Sequence, residues 1–202
     1  MNNNLQRIKT KPYIILVAGI PASGKTTYAR HIASKLGIPL ICKDAIKEIL
    51  YDSLKWDTSA HDNTKRYGAA SYHVFYHVCE SLMKAGVSFV AESNFIQMSV
   101  DKLLPIIKQH DYRPLTVLMD ADLAVLHKRF YDRDKTDERH PGLVVTNDNS
   151  PKDFEGFCSD ANQYRDFCVG DKIVVDTTDL ANLSYERVDA EVLAFSLKPI
   201  RV

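Results

Sequence analysis

A run of apolar residues, Tyr13-Ile-Ile-Leu-Val-Ala18, leads straight into Gly19-Ile-Pro-Ala-Ser-Gly24-Lys25-Thr26. The run is too short to span a bilayer and reads as a central strand buried on both faces. The next eight residues match the pattern G-x-x-x-x-G-K-[ST]. From Lys25 to Leu36 apolar residues return at helical spacing, at Tyr28, Ala29, Ile32, Ala33 and Leu36. Strand, glycine-rich loop and helix in that order form a cradle for phosphate. The loop turns its N–H groups inward, and the helix N-terminus adds partial positive charge. The pattern assigns Gly19, Pro21, Ala22, Ser23, Gly24, Lys25, Thr26 and Thr27 to nucleotide binding. Lys25 would bridge the β- and γ-phosphates, and the Thr26 hydroxyl would hold Mg²⁺.

The rest of the chain repeats the alternation. Strands are expected at Pro39–Cys42, Val87–Ala91, Pro114–Met119 and Lys172–Asp176. Helices are expected at Ala45–Leu54, Thr64–Ala85, Val100–His110 (bent at Pro105), Leu123–Arg133, Phe154–Phe167 and Ser184–Leu197. Trp56 to Asn63 is polar and reads as a loop. Strands alternating with helices five times imply an α/β fold with a parallel sheet between two helical layers. Asp134 to Ser150 is long and polar, which marks a mobile lid rather than a plain connection. The 202 residues therefore read as one domain, 1–202, with a lid at about 134–150.

Composition removes several classes of function. Lys plus Arg and Asp plus Glu are both 26, so the net charge is zero. A neutral chain exerts no long-range pull on nucleic acid or anionic membranes. Between Lys43 and Arg66 five basic residues face five acidic ones, which is no footprint for a polyanion. Cys42, Cys79, Cys158 and Cys168 form no C-x-x-C pair. Four such thiols and a polar start, Met1 to Pro12, fit a reducing cytoplasm better than secretion.

Ligands on parallel sheets bind beyond the carboxyl ends of the strands, so residues there are the candidates for chemistry. Asp44 follows the second strand beside the loop. It can accept a proton from an acceptor hydroxyl, hold a metal-bound water, cap its helix, or combine these roles. Glu92 ends the third strand, where an acid can serve the metal region. Arg129 and Arg133 are four apart on one helical face, and planar guanidinium groups suit base stacking and phosphate clamping. Arg139 lies in the lid. His73 and His77 have a spacing zinc can use, but without H-E-x-x-H they read as an ordinary helix face.

Taken in order, these motifs resemble a known group. They are Gly-x-Pro-x-Ser-Gly-Lys-Thr-Thr, Lys43-Asp44-x-x-Lys47-Glu48, Glu92-Ser93-Asn94-Phe95, Arg129-x-x-x-Arg133, Glu138-Arg139-His140-Pro141-Gly142 and Val175-Asp176-Thr177-Thr178. The sequence is similar, over roughly residues 12 to 197, to zeta-toxin and polynucleotide-kinase-like P-loop kinases of the AAA type. That resemblance implies a three-layer P-loop NTPase fold with strand order 2-3-1-4-5. It implies Asp44 as the general base, with Lys47, Glu92, Asn94 and Arg139 on the acceptor side. By the same likeness Arg129 stacks on adenine, Arg133 clamps the transferring phosphate, and Thr177 edges the base.

The expected activity is transfer of the ATP γ-phosphate, with Mg²⁺, to a hydroxyl of a small molecule. Two alternatives stand beside it: a polynucleotide 5′-hydroxyl kinase, and an ATPase switch with no acceptor.

Overall fold

The computed structural model describes residues 11–55, 61–136, 139–143 and 153–199. At its centre is β1 (Tyr13–Gly19), with every residue buried. It pairs in parallel with β3 (Phe89–Glu92) on one side and β4 (Arg113–Asp120) on the other. β2 (Leu40–Cys42) extends the sheet beyond β3, and β5 (Asp171–Asp176) extends it beyond β4. All five strands are parallel, in the expected order β2-β3-β1-β4-β5.

The alternation of side chains along β1 explains its unbroken hydrophobicity. Ile15 and Val17 face one core with Tyr28, Ile32, Val188, Val192 and Phe195. Ile14, Leu16 and Ala18 face another with Phe75, Cys79, Met83, Leu103 and Ile107. A strand covered on both faces has no position left for a polar residue. The first core is roofed by α1 (Lys25–Leu36) and α7 (Glu186–Ser196). The second is roofed by α3 (His61–Lys84) and α4 (Gln97–Gln109). A third, smaller core joins Ile20 of the glycine-rich loop to α5 (Leu123–Asp134) and α6 (Phe154–Arg165) through Leu126, Phe130, Phe157 and Ala161.

Several expected boundaries shift, each for a physical reason. α2 is Lys43–Leu54, and its N-cap is Cys42, not Asp44. The helix leaves β2 without a connecting residue, so Asp44 sits inside the first turn and its carboxylate turns to Lys43. α3 begins at His61, inside the expected loop, because no Gly or Pro interrupts the chain there; Trp56 lies outside the described residues. α4 begins at Gln97, with the Ser99 side chain accepting from the Ile96 N–H. Pro105 is tolerated on its exposed face, where water can reach the carbonyl that loses its partner. β3 includes Glu92, which carries a carboxylate into the sheet. α6 ends at Arg165, and Phe167 turns into the second core. α5 runs on to Asp134, so the expected lid starts one residue later.

α1 and α7 are joined by a buried polar cluster. Asp189, 4 % exposed, accepts from Lys35 Nζ at 2.8 Å and meets His31 Nε2 at 2.7 Å. Tyr28 Oη also donates to it at 3.4 Å. Burial opposes its charge, but those donors outweigh burial and hold its pKa below the usual range. The Asp189→Ala variant is expected to lose about 2 kcal/mol of stability in urea unfolding, since it leaves the buried Tyr28 hydroxyl unpaired while His31 and Lys35 still reach water. A midpoint unchanged from the parent would refute that role.

Candidate active site

The glycine-rich loop curls across the carboxyl end of β1. A Cβ on Gly19 (φ 140°) would stand 2.1 Å from the Met119 carbonyl oxygen, so only glycine lets β1 and β4 end this close. Ala22 takes a left-handed conformation (φ 66°), a strained choice of the kind that gathers at functional loops. Lys25 opens α1, is 7 % exposed, and donates to the Ile20 carbonyl at 2.8 Å. Burial depresses its pKa to about 8; Glu92 and Asp44 pull it back up, and the Arg133 charge adds to the depression. An ammonium so placed can exchange its carbonyl contact for a phosphate, whose full charge compensates it better.

Glu92, 2 % exposed, closes the floor. Its Oε2 accepts from Thr26 Oγ1 at 3.3 Å and from Cys42 Sγ at 2.7 Å. Burial raises the Glu92 pKa against the pull of Lys25. Burial beside that carboxylate also pushes the Cys42 thiol up to about 12, so it stays protonated as a donor. The Thr26 hydroxyl and Glu92 carboxylate together suit a hard cation such as Mg²⁺, which takes oxygen ligands and leaves most positions to water and substrate phosphate. No cluster of three or more His, Cys, Asp or Glu side chains occurs among the described residues, so nothing there resembles a zinc cage. His73 and His77 are both exposed.

Asp44 and Lys47 rise from α2 at one side of the same cleft. Lys43 Nζ contacts Asp44 Oδ1 at 2.8 Å and lies 5.0 Å over the Tyr72 ring. Burial alone would raise the Asp44 pKa, but Lys43, Lys25 and Lys47 outweigh it and keep the carboxylate ionised. Tyr72 Oη donates in turn to the Asn94 carbonyl at 3.1 Å.

The opposite wall comes from α5 and α6. Arg129 donates from Nη1 to the Thr177 carbonyl and from Nη2 to the Thr178 carbonyl, both at 2.8 Å. Both bonds use the guanidinium edge, which leaves its flat face to stack. Arg133, one turn on, lies over Phe130 and feels Lys25. Thr177, expected at the edge of the base, is not among the residues that line the cleft. It is fully buried, and its side chain donates to the Asp120 carbonyl at 2.9 Å.

These groups enclose one cleft of about 450 Å³. Of the expected residues, Pro21, Ala22, Gly24, Lys25, Thr26, Thr27, Asp44, Lys47, Glu92, Asn94, Arg129, Arg133 and Arg139 line it. Gly19, Ser23 and Thr177 do not; they shape the backbone beneath it. The sequence reading missed Phe157, Asp160, Ala161 and Tyr164 of α6, which also face the cleft. Their three- and four-residue spacing marks one helical face, but nothing local says that this face meets a ligand.

Within the expected lid, the segment Arg139–Leu143 is docked against α2. Gly142 is seated on the Tyr51 ring so closely that a Cβ would stand 2.9 Å from it. Gly142 N–H donates to His140 Nδ1 at 3.1 Å, so the other ring nitrogen carries the proton and faces Asp52 Oδ1 at 3.2 Å. Arg139 Nη2 donates to the Leu143 carbonyl at 2.9 Å. Asp134 to Thr136 close α5, and residues 137–138 and 144–150 of the expected lid, Glu138 among them, lie outside the described residues.

This loop, sheet order and cleft define the P-loop kinase-like class of α/β protein. The family model for zeta toxin matches residues 2–188, and the chain belongs to the zeta-toxin family. A crystal structure described as a candidate kinase from Chloroflexus aurantiacus is similar over 94 % of this chain and 100 % of its own, with 29 % identity and a TM-score of 0.81. Shikimate kinase from Acinetobacter baumannii is similar in fold alone, over 95 % of this chain and 98 % of its own, with 18 % identity and a TM-score of 0.53. So is a structure of the PezAT toxin–antitoxin system of Streptococcus pneumoniae, over 96 % of this chain and 88 % of its own, with 13 % identity and a TM-score of 0.52. Comparison with curated proteins returns no match. No helix among the described residues is long and apolar enough to cross a membrane.

The Gly142→Ala variant is expected to lift the 139–143 segment off Tyr51, because the ring cannot yield to a backbone-attached methyl. Trypsin should then cut after Arg139 several-fold faster, with the unfolding midpoint nearly unmoved. Cleavage at the parent rate would show that the seat does not hold the segment.

Proposed function

We propose that the protein is an ATP- and Mg²⁺-dependent phosphotransferase acting on a hydroxyl of a small molecule. One observation carries this reading. Lys25 of the phosphate-cradling loop and the ionised Asp44 share one cleft, close enough for each to shift the other's pKa. A phosphate donor and a proton acceptor are thereby held on either side of a single small space.

The roles follow from position. Gly24, Lys25, Thr26 and Thr27 receive the phosphates at the start of α1, with the helix N-terminus adding to the attraction. Thr26 and Glu92 would hold Mg²⁺, which supplies charge neutralisation at the phosphates when bound. The Arg129 face takes the base, edged by the backbone of Thr177 and Thr178 rather than by a threonine hydroxyl. The acceptor oxygen attacks the γ-phosphorus, and the bond from that phosphorus to the β,γ-bridging oxygen breaks. The hydroxyl proton passes to Asp44, leaving ADP and a phosphate ester. Lys25 and Arg133 stabilise the charge spread over the transferring group. The docked 139–143 segment narrows the opening, which limits the entry of water that would compete with the acceptor.

Support for a kinase also comes from the family and from the likeness to proteins described as kinases. The neutral chain and small cleft favour a free acceptor over a polymer end, and the soluble composition suits a cytoplasmic enzyme.

Two measurements test this reading. The Asp44→Asn variant should bind ATP as the parent does and lose about 10²–10⁴-fold in transfer rate. Transfer at the parent rate would remove Asp44 as the base. Separately, kcat/KM for ATP should fall as pH rises through about 8. Lys25 in the free enzyme is charged below that value and neutral above it, so phosphate capture is strong on the acid side and lost on the alkaline side. A flat profile to pH about 10, near the ordinary lysine value, would contradict the depressed Lys25.

A further inference from the structure

Glu92 stands between two neighbours in the sheet. The parallel register sets it beside Val17 of β1 and beside Cys42 of β2. Val17 has no polar atom, so Cys42 is the sheet neighbour able to donate to a carboxylate there. Its Sγ does so, to Oε2 at 2.7 Å. An interior cysteine usually packs as a small apolar side chain, as Cys79 does in the second core. Cys42 is used differently. It ends β2, is the N-cap of α2, and turns its thiol to a buried acid. A thiol is a weak donor, but a charged acceptor strengthens the bond.

The carboxylate depends on that donor. Glu92 is 2 % exposed, so little water reaches it. Thr26 Oγ1 meets the same Oε2 at 3.3 Å, longer than the usual hydroxyl contact. Two donors from different elements, α1 and β2, therefore fix the rotation of one carboxylate. Without the thiol, the long Thr26 contact remains as its hydrogen bond among the described residues. Thr26 and Glu92 line the cleft and Cys42 does not. Cys42 can thus reach a ligand only through Glu92.

We propose that Cys42 is a positioning residue for the metal: its thiol holds the Glu92 carboxylate against Thr26, and the pair so fixed sets the affinity of the nucleotide-bound site for Mg²⁺. This rests on the phosphotransferase reading, in which Thr26 and Glu92 serve the metal. Mg²⁺ demands near-ideal placement of its oxygen ligands. Hydrogen bonds behind a ligating group are worth about 10–100-fold in metal affinity.

Mn²⁺ takes the same oxygen ligands as Mg²⁺ and is read directly by electron paramagnetic resonance. Mn²⁺ is titrated into the full-length protein saturated with ADP, and Mg²⁺ then competes for the site. Cys42→Ala and Cys42→Val, both without a donor, should bind the ion about tenfold more weakly. Cys42→Ser, which keeps a donor, should stay near the parent. Affinity for ADP without metal should be unchanged in all three, because the loop and Lys25 hold the phosphates. In ATP turnover, Cys42→Ala and Cys42→Val should need about tenfold more Mg²⁺ for half the maximal rate, with kcat at saturating Mg²⁺ little moved.

Parent affinity in both Cys42→Ala and Cys42→Val overturns the inference. So does a Cys42→Ser variant as weak as they are, which makes Cys42 a packing residue. So does a loss confined to kcat or to the unfolding midpoint. Each of these leaves the phosphotransferase reading standing. A parent protein that binds ADP but neither Mn²⁺ nor Mg²⁺ overturns the Mg²⁺-dependent reading itself, and the inference with it.

Discussion

Lys25 is a charged group with almost no access to water, and the site is organised around making that tolerable. An ammonium removed from solvent needs compensating charge and hydrogen bonds. Here the Ile20 carbonyl, Glu92 and Asp44 supply them incompletely, so the pKa drops to about 8. Glu92 is in the mirror position: buried in β3, raised by burial, and steadied by Lys25, Thr26 and Cys42. Each charge is acceptable only because the other is near. The pair depends on β1 and β3 lying side by side, which places Val17 opposite Glu92 in the sheet.

From that pair the two walls of the cleft take their meaning. α2 begins directly at the end of β2, so Asp44 and Lys47 project into the cleft within its first turns. α5 and α6 close the other side, and they are held by contacts well away from the chemistry. Arg165 binds Asp120 at the end of β4 through Nε and Nη2, at 3.1 and 3.0 Å. Phe130 and Phe157 pack against Ile20 of the loop. A wall pinned to the sheet and to the loop keeps Arg129 and Arg133 within reach of whatever the loop binds. The 139–143 segment then joins this side to α2 through Tyr51 and Asp52.

Much of this was legible in the chain. The apolar run before Gly19 allowed only a buried central strand, and five strand–helix alternations allowed only a parallel sheet. Ligand-side residues at strand ends followed from the fold class, and Asp44, Glu92, Arg129 and Arg133 all face the cleft. The misreadings share a cause. Asp44 carries the residue type of an N-cap, yet the helix starts before it and its carboxylate serves Lys43 instead. Thr177 carries a hydroxyl at the right strand end, yet it is buried and already donates to the Asp120 carbonyl. Phe157, Asp160 and Tyr164 show helical spacing, but spacing does not name the surface that a face will cover. For Thr177 and the α6 face, a local preference was overruled by neighbours distant in sequence; for Asp44, by the helix starting one residue earlier.

By itself, the sequence determined the loop, the strand that feeds it and the order of elements, because these depend on residue type and on contacts between near neighbours. The glycine-rich loop and the start of α1 are read from residue type, although what makes glycine obligatory at Gly19 is the distant Met119 carbonyl. What only the tertiary structure decided is where the charge goes. A chain with no net charge brings Lys25, Asp44 and Glu92 into one cleft, because parallel pairing brings the ends of β1, β2 and β3 together and stacks α5 and α6 across from them. Electrostatic potential depends on distance in space, and the sequence lists only distance along the chain. Lys47 is one lysine among many until α2 sets it in the cleft beside Asp44, Lys43 and Arg139.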